Sequence, residues 1–272
     1  MLPTINKDTV LCMSLSGRPG NTGTRFHNYL YRELGLNFLY KAFTTKDLPG
    51  AITGIRALGI RGCAVSMPFK EACIPFLDRL TDSAAAIRSV NTIVNDDGHL
   101  TAYNTDYIAV EKLIARHAVP PGTPFALRGS GGMAKAVASA LRDAGFRQGT
   151  IVARNEATGR ALAESCGYAW QAEPGMLRPA MLVNVTPVGM SGGPEAEDLS
   201  FPEDTVAAAE TVFDVVALPV ETPLIRLARR LGKRVIDGGE VITLQALEQF
   251  VLYTGIRPEE DLVRRAAEYA RG

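Results

Sequence analysis

The chain is poor in the residues that most often hold metals or disulfides. It has 4 cysteines and 3 histidines in 272 residues. Cys12, Cys63, Cys73 and Cys166 show no Cys-x-x-Cys spacing, and His27, His99 and His117 form no ligand pair, so no metal site is expected. Charge of one sign is also missing, because 29 basic side chains face 29 acidic ones. That balance excludes nucleic acid and an anionic membrane as natural partners and leaves a small soluble molecule. No apolar run approaches the roughly 18 residues needed to span a bilayer. The opening MLPTINKDTVLCMSLSG has neither a basic leader nor an apolar core before a cleavage site, so a cytoplasmic protein is expected. Repeats, heptads and low-complexity tracts are absent, and SGGPEAEDLSFPED reads as a polar loop.

What is present is an alternation. LCMSLSG, FLYKAF and GCAVSM have the composition of strands, separated by helical patterns in TRFHNYLYREL, where Phe26, Tyr29, Leu30 and Leu34 share a face, and in DLPGAITGIRALG. Pro68 suits the first turn of a following helix because its missing N–H is not needed there. Lys70 is thereby placed at the C-terminal mouth of a strand, the edge where ligands collect in open α/β sheets. TDSAAAIRSV is a further helix, and Asp97-Gly98 between two alternating runs is a hairpin signal. After TDYIAVEKLIARHAV, the run PPGTP breaks the helix and marks a seam.

A second series then follows: FALR, GGMAKAVASALRDAG, TIVAR, NEATGRALAESCG, AMLVNV, TVFDVV, TPLIRLARRLG and RVID. Strands alternating with helices predict a parallel, doubly wound sheet. Two last helices, near residues 240 to 253 and 257 to 271, have no strand after them and are free to pack on the first half. Because single cores tend to split above about 250 residues, the expectation is two α/β domains: residues 1–106 with 239–272, and residues 107–238.

The sharpest local signal is LRGSGGMAKA, which sets Gly129, Ser130, Gly131, Gly132, Met133 and Ala134 between a strand and a helix. In that context the glycines fit a dinucleotide site of Rossmann type: one makes a tight turn, the next lets backbone approach a pyrophosphate, and Ala134 permits close helix packing. The phosphates would lie at a helix N-terminus, where free N–H groups favour an anion. A plain glycine turn is the competing reading. About 25 residues on, an acidic residue suits NAD and an arginine suits the 2′-phosphate of NADP. Here Arg154 and Asn155 end the strand, which favours NADP, while Glu156 leaves NAD open. Arg160 reads as a solvated surface residue.

Short polar groups recur in the first half after strands or at helix starts: Ser66 and Lys70 in AVSMPFK, Ser89, Asn91 and Thr92 in SVNT, and Asn104, Thr105 and Asp106 in YNTD. Together with GSGGMA at 129–134, RN at 154–155, NVTPVG at 184–189 and DGGEVITLQAL at 237–247, they resemble the shikimate dehydrogenase family. Its members carry NVTxPFK, GAVNT, GxNTDG, GAGGA, NRT, NATxxG and a glutamine on a C-terminal helix, in that order. The resemblance implies a substrate domain joined to a Rossmann domain, with a cleft between them. The implied activity is NADP-linked hydride transfer between shikimate and 3-dehydroshikimate, on the route to chorismate and the aromatic amino acids. It also implies that Lys70 and Asp106 handle the hydroxyl proton, a contribution of about 100- to 10,000-fold. Whether Lys70 acts as a neutral base or as a hydrogen-bond donor to the developing alkoxide stays open. Ser66, Asn91 and Gln245 are implied substrate contacts, and Thr186, Val216 and Gly238 join the glycine turn, Arg154 and Asn155 as cofactor contacts. Read without the resemblance, Asn91 is a turn residue and Asp106 a helix cap.

The pattern departs from the family in the first loop, where a Ser-x-Ser pair usually binds the substrate carboxylate. Asn21, Thr22, Gly23 and Thr24 stand there, while Ser14 and Ser16 fall in or at the end of the strand. Asn and Thr still supply donors. Ala217 replaces a tyrosine after the strand ending DVV, Ser66 replaces a threonine, and Glu240 stands where a small residue is common. The expectation is a divergent dehydrogenase, monomer or homodimer, acting on shikimate, quinate or another carbocyclic hydroxy acid. A non-catalytic sensor of NAD(P) or of such a metabolite is the alternative from another class.

Overall fold

The computed structural model describes residues 5–272; the first four, which belong to the expected first domain and to the stretch read for a leader, lie outside the described residues. The chain forms two compact units, Met1–Thr105 with Thr243–Gly272, and Asp106–Ile242. Among the described residues no helix is long and apolar enough to cross a membrane.

The first unit begins with β1 (Val10–Leu15), α1 (Thr22–Glu33), β2 (Phe38–Phe43), α2 (Leu48–Ala57) and β3 (Gly62–Val65), followed by the short α3 (Phe69–Ala72), β4 (Arg79–Leu80), α4 (Asp82–Ile87), β5 (Thr92–Asp96) and β6 (His99–Tyr103). Its sheet has the order β2-β1-β3-β5-β6-β4. β1 pairs in parallel with both β2 and β3, whereas β5 runs antiparallel to β3 and to β6. The hairpin expected at Asp97-Gly98 is present, and both residues have positive φ, +50° and +89°, as a two-residue primed turn requires. One core gathers Met13, Leu15, Ile52, Ile55, Val65 and Ile93. On α1 the buried residues are Phe26, His27, Leu30 and Tyr31. Tyr29, expected on that face, instead meets Tyr269 at 5.1 Å between ring centroids.

The second unit opens with most of α5 (Thr105–Arg116) and continues through β7 (Phe125–Arg128), α6 (Gly132–Asp143), β8 (Gly149–Val152), α7 (Glu156–Cys166), β9 (Ala169–Gln171), β10 (Met181–Asn184), α8 (Glu203–Ala208), β11 (Thr211–Asp214), α9 (Pro223–Arg230) and β12 (Arg234–Ile236). Its six strands lie in the order β12-β11-β10-β7-β8-β9 and every pair is parallel. Parallel strands need helical crossovers on the faces, which is why this half alternates so regularly. Finally α10 (Gly238–Thr254) and α11 (Glu260–Arg271) close the chain, and residues from Thr243 onward belong to the first unit. The sequence pattern does not announce β4, β9 or α8. Two or three residues are too few for a period to register, and α8 starts just past Pro202, at the end of the segment that reads as a loop.

Candidate functional site

Counted within its own unit, the second sheet has strand order 3-2-1-4-5-6, whose direction of winding reverses between β7 and β10. Ligands of such sheets bind beyond the carboxyl ends of the strands at that reversal, and here the glycine turn occupies it. Gly129 has φ +128°, and a Cβ there would lie 2.8 Å from the Val185 side chain and 3.3 Å from that of Thr186. Only glycine fits that turn. A Cβ on Gly131 or Gly132 would meet nothing within 4 Å, and α6 has no side-chain cap. The start of α6 is thus open on the glycine side and its first N–H groups have no side-chain cap, the arrangement that accepts a phosphate. Ala134 is fully buried, as its packing role demands.

A cavity of about 240 Å³ adjoins this turn, lined by Arg128, Ser130, Arg154, Asn155 and Thr186 among others. Arg154 lies 3.7 Å from Glu195 and keeps much of its surface exposed. Glu156, the candidate ribose acceptor for NAD, does not line the cavity; it pairs with Arg160 at 2.7 Å. Arg160 in turn lies over Trp170, 4.2 Å from the ring centroid, so it is held on the surface and not simply solvated. Asn155 caps α7, accepting from the Thr158 N–H at 3.1 Å, and the Ser130 and Thr158 hydroxyls meet at 2.8 Å. The site thus offers backbone donors, hydroxyls and a guanidinium, a set that fits a phosphorylated dinucleotide.

Along the same edge a buried network shapes the loops after β10 and β11. Asn184 Oδ1 accepts from the Thr186 hydroxyl at 2.6 Å, and its Nδ2 donates to Asp214 Oδ1 at 2.9 Å. Asp214 also accepts from the Val216 N–H and the Thr222 hydroxyl. Burial dominates over these donors and pushes the Asp214 carboxyl up to about 6. Val216 and Gly238 come together, since a Cβ on Gly238 would lie 2.1 Å from the Val216 carbonyl oxygen. Sequence reasoning misses Asn184, Asp214, Thr222 and Arg128 as supports, although the NVT and DVV motifs were the signal that could have found two of them.

Several of the expected substrate contacts are linked through Asn91. This side chain is 3 % exposed, and its Oδ1 accepts from Thr105 N at 2.7 Å, the Thr92 hydroxyl at 2.9 Å and the Thr105 hydroxyl at 3.1 Å. A backbone N–H only donates, so the oxygen must face it and Nδ2 is left to point elsewhere. Asn91 is therefore no simple turn residue. Lys70 lies in α3, and its carbonyl accepts from Val90 N, the residue before Asn91. Asp106 follows Thr105, whose N–H Asn91 holds, and sits buried in the first turn of α5 rather than outside it as a cap. Both proton-handling candidates are tied by backbone to the neighbours of one amide. The Thr105 hydroxyl also reaches Gln245 Oε1 at 3.5 Å.

Ser66 is exposed at the end of β3, with its N–H on the Leu15 carbonyl. Asn21 stands at the N-cap of α1 without capping it, and Thr22 begins the helix. The Thr24 hydroxyl is buried and unpartnered. Ser14 lies within β1, as expected, and the Ser16 Oγ accepts from Arg18 N. Glu240 is engaged within its own unit: its carboxylate pairs with His117 at 2.9 Å and accepts from the Asp237 N–H, while Asp237 accepts from the Glu240 N–H. That reciprocal pair caps the start of α10.

All four cysteines are free and buried. Burial pushes Cys12 and Cys73 up to about 11 and Cys63 higher still, which makes them packing residues and not nucleophiles. Among the described residues no cluster of three His, Cys, Asp or Glu could hold a metal.

A winding reversal with a glycine turn, an uncapped helix start and an adjoining arginine define a dinucleotide-binding α/β protein. Comparison with known proteins is more specific. Residues 22–93 match the shikimate dehydrogenase substrate binding domain. The chain is 59% identical over 267 residues to a shikimate dehydrogenase-like protein of Haemophilus influenzae, covering 98% of each, and 35% identical to a shikimate dehydrogenase (NADP(+)) of Pyrococcus abyssi, covering 89% and 90%. Among solved structures it superposes on a shikimate 5-dehydrogenase-like protein with a TM-score of 0.97 at 58% identity, covering 98% of this chain and 100% of that one. The Thermus thermophilus shikimate 5-dehydrogenase in complex with NADP(H) and shikimate gives 0.85 at 28%, covering 96% and 99%, and the Corynebacterium glutamicum quinate dehydrogenase in complex with NAD gives 0.86 at 26%, covering 96% and 98%. The chain belongs to the shikimate dehydrogenase family.

Proposed function

We propose that this chain oxidises the ring hydroxyl of shikimate to 3-dehydroshikimate, reversibly, as an NADP-dependent dehydrogenase. The observation that supports this reading is that the Lys70 carbonyl holds Val90 N, next to Asn91, while Asn91 holds the N–H of Thr105, next to Asp106, in a protein whose second unit presents a phosphate-accepting glycine turn with Arg154 beside it. Oxidising an alcohol removes a hydride from carbon and a proton from oxygen. Bound NADP+ supplies the hydride acceptor; Lys70 and Asp106 handle the proton. Asn91, its oxygen engaged, offers Nδ2 as donor to a ring hydroxyl, and Ser66 and Gln245 complete the ring contacts. In place of the serine pair, the uncapped start of α1 with Asn21, Thr22 and the unpartnered Thr24 hydroxyl holds the carboxylate.

The second unit holds the cofactor through Gly129–Ala134, Arg154, Asn155, Thr186, Val216 and Gly238. On this reading the protein works in the cytoplasm as a monomer or homodimer, on the route to chorismate and the aromatic amino acids. Ala217, which removes a hydroxyl contact, together with the similarity to a quinate dehydrogenase, favours quinate as the second substrate to examine. Absorbance at the nicotinamide band, with each cofactor crossed against each acid, tests the reading. Turnover fastest with NADP+ and shikimate is expected; turnover fastest with quinate moves the substrate assignment, and binding of cofactor and acid with no turnover at all makes the protein a sensor.

A further inference from the structure

One buried side chain near the substrate contacts is unclaimed by the proposed reaction. Gln249 lies one helical turn beyond Gln245 on α10 and is 5 % exposed. Its Nε2 donates to the Thr92 hydroxyl at 3.1 Å and approaches the Asn91 carbonyl oxygen at 3.4 Å. That carbonyl already accepts from Val65 N at 2.7 Å. On its other side Gln249 is the polar neighbour of His27, a fully buried imidazole stacked 4.4 Å from the Tyr40 ring.

The hydrogen bonds have a direction. A threonine hydroxyl has one proton, so when Thr92 accepts from Gln249 Nε2 that proton is free to go to Asn91 Oδ1, 2.9 Å away. Thr105 N supplies the second donor to the same oxygen at 2.7 Å, and the single proton of Thr105 Oγ1, 3.1 Å away, is shared between that oxygen and Gln245 Oε1. With its oxygen saturated and its backbone carbonyl clamped, Asn91 has only Nδ2 to offer a ligand. An apolar side chain at 249 would leave Thr92 free to turn and Asn91 held from one side.

We propose that Gln249 is a positioning residue that, through the Thr92 hydroxyl, orients the Asn91 amide as a hydrogen-bond donor to the substrate's ring hydroxyl. The assignment rests on the substrate reading given above. It makes α10 a two-part device, with Gln245 set toward the substrate and Gln249 behind the residue that meets it.

The test is calorimetric binding of shikimate and of NADP+ to wild type, Gln249→Leu, Thr92→Val and Thr92→Ser, alongside steady-state kinetics. Gln249→Leu and Thr92→Val should each weaken shikimate binding about tenfold, the loss of roughly one oriented hydrogen bond, with KM rising in step, kcat within about twofold and NADP+ affinity unchanged. Thr92→Ser, which keeps the hydroxyl, should recover most of the affinity. The double variant Gln249→Leu with Thr92→Val should be no worse than either single one, because both act on one path. Shikimate binding unchanged in both single variants would overturn the assignment, as would a serine variant as weak as the valine one, or equal weakening of shikimate and NADP+, which marks general loosening. If wild type binds no shikimate, the substrate reading itself falls and takes this assignment with it; if wild type binds and the variants match it, only the role of Gln249 is lost.

Discussion

The two units present their polar groups by different means. In the second, the decisive groups belong to the backbone: a glycine at φ +128°, two glycines open to space and an uncapped helix start. In the first they are side chains, and each is held by another: Gln249 by way of Thr92 to Asn91, and Asn91 to Thr105. A backbone cradle receives any pyrophosphate and so suits a cofactor shared by many enzymes. A side-chain network fixes the direction of each donor and so suits one particular ring.

Their responses to acid differ as well. His27 in the first unit is fully buried, and desolvation lowers its imidazole to about 3. Between about pH 6.5 and 3 the unfolded chain therefore binds a proton that the folded unit does not, and this unit loses stability as pH falls. Asp214 in the second unit is raised to about 6. Between about pH 6 and 4 the folded unit keeps a proton that the unfolded chain has released, so this contribution grows as pH falls.

The contrast is broken most strongly at Gly129. Gly129→Val forces a branched side chain into a positive-φ position and against Val185, at a cost of about 3 kcal/mol or roughly 100-fold in NADP+ affinity; titration of the nicotinamide cofactor checks this, and shikimate affinity should not change. A smaller effect is expected at Arg154. Arg154→Gln should weaken NADP+ by about tenfold and leave NAD+ unchanged, the loss of one charge-assisted contact to a phosphate. Glu195→Gln, which releases Arg154 from its 3.7 Å neighbour, should tighten NADP+ a few-fold. The acid contrast is sharpened by native-state hydrogen exchange. At about pH 5 relative to pH 7, amides of β1 to β3 should lose about 2 kcal/mol of protection while those of β10 and β11 gain about 1 kcal/mol; a parallel loss in both sets would contradict the two assignments. The smallest change is at a helix cap: Asn155→Ala removes the acceptor for Thr158 N and should cost about 1 kcal/mol, a fall of a few degrees in Tm.

The same contrast separates what the amino-acid sequence makes legible from what it hides. Glycine spacing between a strand and a helix carries the phosphate cradle in consecutive residues, so 129 to 134 and Arg154 can be found by rule. The side-chain network joins residues 14 and 158 positions apart, as Asn91 to Thr105 and Gln249 to Asn91, and no local period reports it; there only the family motifs point to Asn91 and Asp106. Gln249 shows in the sequence only as a neighbour of Gln245 on one helix face, and although the NVT and DVV runs mark Asn184 and Asp214, nothing local says that these strand ends and the Thr222 helix cap are partners. The partner of Glu240 is hidden for the same reason, since His117 lies 123 positions away.

Turnover of Lys70→Ala with saturating NADP+ and shikimate, with NADP+ binding measured on the same sample, bears most directly on the proton-handling role. The account predicts a fall in kcat of about 100-fold or more, the usual contribution of a positioned acid–base group, with cofactor affinity unchanged. Wild-type kcat in that variant would contradict it.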